Sequence, residues 1–421
     1  MPAPPVSKPS HLSLPERGPA VTRARVDSVA STYGPQLRDA ELDDLGPTEA
    51  WTVEGSNRAN GYATHGLFRY FGKYPPPIGR ELIQDHSAPG DLVLDPTGGS
   101  GTTGVEALLA GRRCRLFDVS PTALAVARAK TTPVCGDAAR EALAQVVERY
   151  TPATATEYPL EPVGLRNPDH WFLPETADSL RGLHRSLHTL DDTPVRQLLH
   201  AAYLGAIRRC SRATTQQGRL FLDADTARTD TLDTFVRFSN RAIKGASALP
   251  TNGDVTVCAH DARQPLPLAN GEQADFVFTH PPYFNAYKYS RINSLELAWT
   301  GVKPADVRRS EIREYFKIGK PENAAKYVND MQGVVENCLD AVRPGGAVAV
   351  MIGDTRLQGT HIPVTRRIID QVRETRRMEV EKVVLRIPRH TEASWVSSQR
   401  RTADKLGVPL CDYIVVLRAP Q

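Results

Sequence analysis

Residues 91–113 read DLVLDPTGGSGTTGVEALLAGRR, and they decide the fold of this chain. The apolar run LVL predicts a short strand that ends at Asp95-Pro96, and a glycine-rich turn and a helix follow it. The same order then repeats. CRLFDVS predicts a second strand, and PTALAVARAKT predicts a helix capped by Ser120 with Pro121 in its first turn. Two strand–helix units in such close succession predict a parallel, doubly wound sheet.

Outside this segment the periodicity of the chain changes three times. Residues 1–60 are rich in Pro, Ser and Gly without a sustained period, which predicts a partly disordered leader. Residues 61–140 hold the two strand–helix units. Residues 141–250 carry apolar stripes at helical spacing and no convincing strand, which predicts a helical insertion. Residues 251–421 return to strands, from DVTVCAHDA and ADFVFTHPP to DYIVVLR, so about seven strands are expected in one mainly parallel sheet.

The bulk composition is that of a globular protein in water. The chain has 421 residues, of which 40% are hydrophobic and 24% charged. No stretch approaches the ~18 consecutive apolar residues that span a bilayer, and the N-terminus lacks the apolar core of a signal peptide. We therefore expect a cytoplasmic protein without a membrane partner. Six widely separated cysteines without CxxC spacing predict neither disulfides nor a metal site.

Basic residues are unevenly distributed, although the net charge is only +4. One group lies between residues 366 and 401, and a second group in mid-chain comprises Arg208, Arg209, Arg212 and Arg219. A solvated helix face explains either group, and so does a surface that contacts phosphate.

The glycine-rich turn is the first candidate binding site. The backbones of Gly98, Gly99 and Gly101 can approach a ligand closely because no Cβ intervenes. The following helix N-terminus offers unpaired N–H groups to an anionic group. Asp118 ends the second strand about 20 residues further on, where an acid binds ribose hydroxyls. This spacing fits a dinucleotide and S-adenosylmethionine equally.

Several motifs, taken in chain order, resemble those of S-adenosylmethionine-dependent DNA amino-methyltransferases. DPTGGSGTT at residues 95–103 resembles the family's DPFCGSGTT motif. HPPY at residues 280–283 resembles its catalytic tetrapeptide, whose first residue is usually Asp, Asn or Ser. HGLFRYFGKYPPPIGRELI at residues 65–83 resembles the segment that closes over the methionine moiety of the cofactor. The similarity covers roughly residues 65–135 and 250–420, and the ordered set is far more specific than any one motif.

The resemblance implies a Rossmann-like methyltransferase in which residues 61–140 form the cofactor-binding half and residues 251–421 the catalytic half. It implies methyl transfer from S-adenosylmethionine to the exocyclic amino group of cytosine or adenine in double-stranded DNA, with the target base flipped out. Asp261 stands where the family places an acid that contacts the adenine amino group of the cofactor. The implied cofactor contacts are Lys73, Asp95, Thr97, Gly98, Gly99, Gly101, Thr102, Asp118, Asp261 and Thr279.

The resemblance implies that His280, Pro281, Pro282 and Tyr283 form the catalytic tetrapeptide. An aromatic amine is a poor nucleophile because its lone pair is delocalised into the ring. Two consecutive prolines stiffen the backbone, and a carbonyl at His280 or Pro281 can accept hydrogen bonds from the amine. The ring of Tyr283 can stack on a base that has left the duplex.

The chain departs from the family pattern at two of these positions. Thr97 replaces an aromatic residue, which alters a packing contact with the cofactor. His280 replaces a residue whose side chain accepts a hydrogen bond from the target amine. A neutral imidazole keeps one ring nitrogen as an acceptor, whereas a charged imidazolium does not. We therefore expect an active enzyme near neutral pH. Thr279 and the segment FNAYKYSR resemble the N4-cytosine subgroup of the family more than the adenine subgroup, which implies N4 of cytosine in preference to N6 of adenine.

The remaining candidates concern nucleic-acid contact. Tyr287, Lys288 and Arg291 interleave aromatic and cationic side chains beside the tetrapeptide, a combination that suits stacking and phosphate contact. In the insertion, the candidates for DNA contact are Arg208, Arg209, Trp171 and Phe172. A helical cap over the cofactor pocket explains the same insertion without any contact to DNA.

Three other functions are compatible with the sequence. One is methylation of a guanine exocyclic amine in RNA, and another is methylation of an amide in a protein or small molecule, which would favour Asn at position 280. The third is a catalytically silent DNA-binding module, for which His280 is the only support. The favoured hypothesis is a site-specific DNA methyltransferase of restriction–modification or phage defence. The sequence indicates no particular oligomeric state.

Overall fold

The computed structural model describes residues 18–26, 28, 49–54, 58–214, 220–223, 230–269, 271–284, 288–312, 321–357, 360–387 and 412–421. The strands are β1 (Val21–Arg25), β2 (Glu49–Val53), β3 (Leu92–Asp95), β4 (Arg113–Asp118), β5 (Val255–Ala259), β6 (Ala274–Thr279), β7 (Val342–Ile352), β8 (Thr355–Leu357), β9 (Thr360–Ile362), β10 (Glu379–Arg386) and β11 (Asp412–Arg418). The helices are α1 (Pro76–His86), α2 (Thr102–Leu109), α3 (Pro121–Thr131), α4 (Gly136–Arg149), α5 (Pro168–Trp171), α6 (Pro174–Leu187), α7 (Pro194–Cys210), α8 (Thr231–Ala246), α9 (Tyr289–Ile292), α10 (Ser294–Trp299), α11 (Pro304–Ser310), α12 (Pro321–Ala341) and α13 (Val364–Thr375).

Nine strands form one sheet in the order β1-β2-β10-β11-β7-β6-β3-β4-β5. The five strands β5, β4, β3, β6 and β7 are parallel to one another, and β11 runs antiparallel between β7 and β10. The strand order reverses at β3, which has β4 on one side and β6 on the other. In open parallel sheets, this is the point where ligands bind beyond the carboxyl ends of the strands.

The sheet therefore has two strands more than the seven expected. Both additional strands, β1 and β2, lie in the Pro-rich stretch of residues 1–60, and β2 pairs in parallel with β10. Their anchor is Trp51, which is fully buried and has the guanidinium of Arg23 4.4 Å from its ring centroid. A five-residue strand in such a composition has no periodic signal of its own. It forms because the edge of β10 offers backbone partners.

Helices cover both faces of the sheet, as a doubly wound fold requires. Along β7, Val348 and Val350 lie in a core shared with α12 and α13, whereas Ala347 and Ala349 lie in a core shared with α1. This alternation follows from the two-residue period of a strand. Among the described residues, no helix is long and apolar enough to cross a bilayer.

The turn between β3 and α2 has the local structure that its glycines predict. Gly101 is the N-cap of α2 with a φ of 80°, and a Cβ there would lie 3.0 Å from Cα and Cβ of Ala127. The N–H of Gly98 donates to the carbonyl of Phe117 at 2.8 Å, which joins the turn to β4. Ser120 accepts a hydrogen bond from the N–H of Ala123 at the start of α3, so the predicted cap is present.

Helices α4 to α8 lie between the first and second groups of parallel strands and share a third core with α3 and α10. Leu180, Leu183 and Leu187 of α6 are buried in it, and so is Phe235 of α8. This core continues into the sheet domain through Val126 of α3. The helices are thus packed onto the sheet domain itself.

Candidate active site

A cleft opens beyond the carboxyl ends of β3, β4 and β6 and encloses about 900 Å³, counting the open space at its mouth. It brings together residues that are far apart in the sequence. The predicted site residues that line it are Lys73, Asp95, Thr97, Gly98, Gly99, Thr102, Asp118, Asp261, His280 and Pro282. The other predicted residues of the two motifs, Gly101, Thr279, Pro281 and Tyr283, belong to the same turn and loop without being part of the lining.

Asp95 closes β3 and holds the glycine-rich turn. Its carboxylate accepts hydrogen bonds from the backbone N–H of Thr97 at 3.0 Å and from the hydroxyl of Thr103. The carboxyl group is buried, and burial raises its pKa to about 7. Thr103 also lies 2.8 Å from the hydroxyl of Tyr74. Asp95 therefore shapes the turn through its own hydrogen bonds.

Thr97, which replaces an aromatic residue of the family pattern, has acquired a polar contact. Its hydroxyl oxygen lies 2.9 Å from the hydroxyl oxygen of Thr279, which is fully buried at the end of β6. This hydrogen bond joins the ends of β3 and β6 directly below the cleft. It links the glycine-rich turn to the residue that precedes the HPPY loop.

Asp118 is fixed against the same turn from β4. One carboxylate oxygen accepts the N–H of Gly99 at 2.9 Å, and the other accepts the N–H of Ser120 at 2.8 Å. Burial raises the pKa of Asp118, and these N–H groups oppose that rise. Each carboxylate oxygen has two lone-pair directions, so the group can accept further hydrogen bonds from a diol. Asp118 lies at the end of β4 and lines the cleft, and its ribose-binding role stays a prediction.

Asp261 lies beyond β5 and is paired with Arg263. The guanidinium donates to both carboxylate oxygens, with Nη2 at 2.6 Å from Oδ2 and Nε at 2.9 Å from Oδ1. Burial by itself would raise the pKa of Asp261, but the hydrogen bonds from Arg263 outweigh it and lower the pKa. The carboxylate is therefore charged, oriented and placed at the edge of the cleft.

Two further features fit the carboxylate end of a methionine moiety. The hydroxyl of Thr102, buried at the N-terminus of α2, has no hydrogen-bond partner among the described residues. Lys73 lies in the same lining, and its Nζ donates to the carbonyl of His65 at 2.9 Å. Burial lowers the pKa of Lys73 to about 8, so most of it is still protonated at neutral pH. A helix N-terminus, an unsatisfied hydroxyl and an ammonium together suit an anionic group.

His280 follows β6 and faces Tyr283 across the two prolines. Its Nε2 lies 3.2 Å from the hydroxyl oxygen of Tyr283, and its ring meets the rings of Tyr74 and Tyr283 edge to face. Burial lowers the pKa of His280 to about 4; the charge of Asp412 opposes the shift and that of Arg386 adds to it. The imidazole is therefore neutral at pH 7, which is the form that the predicted acceptor role needs.

The HPPY loop is held from below by α12. The hydroxyl of Tyr327 donates to the carbonyl of Pro282 at 2.7 Å, and its ring packs against buried Phe284. The Pro282 carbonyl thus anchors the loop to α12, and the carbonyls of His280 and Pro281 stay the predicted acceptors for the target amine.

The cleft also contains residues that are not among the predicted site residues, although Tyr289 belongs to the aromatic and cationic segment FNAYKYSR beside the tetrapeptide. Tyr70 and Tyr289 stack across it with centroids 5.7 Å apart and an 18° angle between their planes. Ser310 and Glu311 line its far side, and burial raises the pKa of Glu311. Tyr70 lies within the segment HGLFRYFGKY, so the resemblance pointed to its segment and not to its role. Nothing in the sequence around Ser310 signals a site.

The predicted nucleic-acid contacts occupy different environments. Arg209 and Arg291 are exposed, whereas Arg208 is buried and donates to the carbonyls of Thr214 at 3.0 Å and Ile292 at 3.3 Å. Lys288 is half-buried just before α9. Tyr287 lies outside the described residues.

The aromatic pair from the insertion lies mainly in the helical core. Phe172 is buried and packs edge to face on Trp299 with ring centroids 5.4 Å apart, and Trp171 is half-buried beside it. Phe172 therefore contributes its ring to packing. In the part of the chain that the structure describes, no cluster of His, Cys, Asp or Glu is arranged to hold a metal ion.

Residues 27–129 match the N6/N4 methyltransferase family, described as DNA methylase. The match covers less than half of the chain and includes β3, the glycine-rich turn and Asp118, but not the HPPY loop. Together with the sheet order, it defines a Rossmann-like methyltransferase fold with S-adenosylmethionine as cofactor, as expected from the sequence.

The solved structures that resemble this chain have low sequence identity to it. TrmN from Thermus thermophilus is 11% identical with a TM-score of 0.31, over 82% of this chain and 49% of its own, so this chain spans about half of its length. The rRNA methyltransferase aviRa from Streptomyces viridochromogenes is 13% identical with a TM-score of 0.31, over 87% of this chain and 94% of its own. A methyltransferase from Pyrococcus furiosus is 10% identical with a TM-score of 0.33, over 85% and 92% respectively. A comparison with curated proteins finds no match. Similarity this low identifies neither substrate nor partner.

Proposed function

We propose that this protein transfers a methyl group from S-adenosylmethionine to the exocyclic amino group of a base in double-stranded DNA, N4 of cytosine in preference to N6 of adenine. The observation that carries the proposal is that neutral His280 lines the same cleft as Asp118 and Asp261. The cleft thus holds a hydrogen-bond acceptor that suits an amine, His280, together with two acids that suit a nucleoside, Asp118 and Asp261. The preference for cytosine rests on Thr279 and the segment after HPPY, as the sequence indicates.

The residues of the cleft divide the work of binding between them. In this proposal Asp118, which already accepts the N–H of Gly99, also accepts ribose hydroxyls, and Asp261, paired with Arg263, accepts the adenine amino group of the cofactor. Thr102, Lys73 and the N-terminus of α2 suit the methionine carboxylate. When bound, the cofactor supplies a methyl group on a sulfonium that departs as a neutral thioether. The protein itself supplies orientation and acceptors for the amine.

Catalysis requires that the lone pair of the target amine become available to attack. In the proposed mechanism, the carbonyl of His280 or Pro281 accepts one N–H of the amine and the single acceptor nitrogen of the neutral His280 ring accepts the other, which favours a pyramidal nitrogen. As the new N–C bond forms, the amine loses one proton, and water or the neutral imidazole can take it. Tyr283 supplies a ring on which a flipped base can stack.

The test uses the purified full chain, methyl-labelled S-adenosylmethionine and DNA from a methylation-free host, followed by mass analysis of the nucleosides. We expect N4-methylcytosine. N6-methyladenine would overturn the choice of base, and transfer of label to total RNA in a parallel reaction, with none to DNA, would move the substrate to RNA. Measured cofactor binding without any transfer to nucleic acid would leave the silent module as the better reading.

Two substitutions at one position form a matched pair for the catalytic role. His280→Asn keeps a side-chain acceptor and resembles the family pattern, whereas His280→Ala removes it. We expect His280→Asn to retain transfer and His280→Ala to lose about 100-fold in kcat, the usual scale for a positioned proton acceptor. Equal activities in the two variants, with equal melting temperatures, would remove His280 from the mechanism.

A further inference from the structure

A second cleft adjoins the cofactor cleft and shares two of its lining residues, Tyr70 and Lys73. It is larger, about 1800 Å³ by the same measure that includes its open mouth. One wall is the segment of residues 58–73 before α1, and the other is formed by the end of α7 and the exposed face of α8. The helical insertion and the sheet domain therefore meet at this cleft, directly beside the site of transfer.

The charge of this second cleft is strongly one-sided. Seven of its lining side chains are Arg or Lys. Among the described lining residues, the single acid is Glu296, which is buried and whose pKa burial raises to about 7, with Arg208 opposing. At neutral pH the acid is therefore only partly charged. Such a concentration of positive charge in a concave surface attracts a polyanion and raises its rate of association.

Two phenylalanines hold the guanidinium groups of the cleft in position. Phe238 of α8 has the guanidinium carbons of Arg241 and Arg237 at 5.0 and 5.7 Å from its ring centroid. On the opposite wall, Phe71 has those of Arg69 and Arg208 at 4.9 and 5.1 Å. Cation–π contacts restrict guanidinium groups without using their N–H donors. These contacts fix the guanidinium planes of Arg237 and Arg241 on α8 and of Arg69 on the facing segment before any ligand binds.

We propose that this arginine-lined cleft holds the sugar–phosphate backbone of the target DNA strand while the flipped base occupies the cofactor cleft. The inference rests on the proposed function for the identity of the nucleic acid. The fork of N–H donors in each arginine fits phosphate oxygens, and a row of them on two walls fits a repeated anion better than a single one. The two clefts meet at Lys73 and Tyr70, which line both of them, so a strand held in one lies next to the other.

Within the cleft, the arginines have different tasks. Arg237 and Arg241 are exposed on α8, one turn apart, and Arg209 is exposed at the end of α7. These three are assigned to phosphate. Arg208 is buried and donates to backbone carbonyls, so it is a positioning residue that joins α7 to α9 and holds Phe71. Its removal is therefore a poor test of DNA contact.

The experiment compares Arg237→Ala/Arg241→Ala with a matched control, Arg140→Ala/Arg149→Ala, in the full chain. The control pair is exposed on α4, is not part of the cleft lining, and loses the same two charges. Binding of a fluorescent duplex oligonucleotide is measured by anisotropy over a series of salt concentrations. Cofactor binding by calorimetry and melting temperature are measured on the same samples.

We expect the Arg237→Ala/Arg241→Ala variant to bind DNA at least about tenfold more weakly. The negative slope of log K against log salt should become shallower by about 2, one for each lost phosphate contact. The control should match the wild type, and cofactor binding should be unchanged in both. Arg237→Lys/Arg241→Lys should recover much of the salt dependence because it keeps the charges.

The outcomes separate this inference from the proposed function. If the wild type methylates DNA but both double variants bind it equally, the cleft is not the strand-binding surface and the proposed function stands. If the wild type binds DNA through the arginines without transferring methyl groups, the cleft assignment holds and the proposed function fails. If the arginines affect binding of an RNA oligonucleotide only, the assignment to DNA is overturned.

Discussion

Nε2 of His280 lies 3.2 Å from the hydroxyl oxygen of Tyr283, so the first and last residues of the HPPY loop close on each other. Their rings meet edge to face with centroids 5.2 Å apart. The imidazole is thus fixed by a ring that is also the expected stacking platform for the target base. In the proposed mechanism, this contact places the imidazole at the edge of the ring on which the target base would stack.

Protonation of His280 should couple the stability of the protein to pH. Folding lowers the pKa of this side chain from 6.5 to about 4, so between these values the unfolded chain binds a proton that the folded chain does not. The free energy of unfolding must therefore decrease as the pH falls from about 6.5 to about 4, and this contribution is constant above that window. Activity at pH 7 and above should not depend on the titration of His280.

The pH effect is measured by chemical unfolding of the wild type and of His280→Asn, which does not titrate. His184 and His200 also have lowered pKa values through burial, so only the difference between the two proteins isolates His280. We expect the stability of the wild type relative to the variant to decline below pH 6.5. A difference that stays flat down to pH 4 would contradict the burial of this imidazole.

The contributions of the Thr97 and Thr279 hydroxyls to stability should be coupled, because each hydroxyl is the hydrogen-bond partner of the other. Thr97→Val removes one hydroxyl and leaves the fully buried hydroxyl of Thr279 without that partner, which should cost about 1–3 kcal/mol in the free energy of unfolding. The double variant Thr97→Val/Thr279→Val should cost less than the two single variants added together, because both polar groups are then gone. Strict additivity in a chemical-unfolding cycle would show that the two hydroxyls are not coupled.

Gly101 should be irreplaceable for two separate reasons. Its φ of 80° is unfavourable for any L-residue, and a Cβ would also press on Ala127 at 3.0 Å. Gly90 has a φ of 91° and nothing within 4 Å of its Cβ position, so Gly90→Ala reports the backbone strain alone. We expect Gly90→Ala to lose about 1–2 kcal/mol. Gly101→Ala should lose about 1–3 kcal/mol more through overpacking, and it should weaken cofactor binding.

The two glycine variants are compared by chemical unfolding and by calorimetric titration with S-adenosylmethionine. Gly90→Ala should bind the cofactor as the wild type does, since Gly90 is outside the cleft lining. Equal losses of stability in both variants would mean that α3 shifts enough to accommodate the methyl group of Gly101→Ala without overpacking.

What the sequence predicts well in this protein is local or lies within one motif. Gly101, Ser120 and Asp118 each follow from a backbone requirement or a short spacing, so a window of thirty residues suffices to place them. The sequence shows that His280 can act as an acceptor if it is neutral, but it does not show that it is neutral. The ring is buried beside Tyr74 and lies near the charges of Arg386 and Asp412, and these residues come from distant segments.

What the sequence does not reveal depends on contacts between such segments. Tyr70 and Tyr289 stack across the cleft from positions more than two hundred residues apart, and neither position is distinctive by itself. Arg208 and Arg209 are neighbours with the same side chain, yet a helix turns one into the core and the other outward. Strand β2 has too few residues for a periodic signal and exists through its pairing with β10.

Tyr327 should affect the rate of transfer more than the binding of either substrate. Its hydroxyl donates to the carbonyl of Pro282 at 2.7 Å while its ring remains packed on Phe284, so Tyr327→Phe removes the hydrogen bond and keeps the packing. The loop that carries His280 would lose one of its fixed points, and small misplacements of a catalytic group reduce kcat strongly. We expect a kcat lowered by about 10-fold, with KM for DNA and the cofactor Kd within about twofold of the wild type, because the lost bond orients the loop and contacts neither ligand.

The free energy of unfolding should fall by about 1 kcal/mol. Steady-state kinetics, calorimetry and chemical unfolding on one preparation distinguish this pattern from simple instability, in which kcat and KM would both follow the fraction of folded protein. A raised KM with unchanged kcat would instead mean that the loop is part of the binding surface and that its rigidity does not limit the reaction.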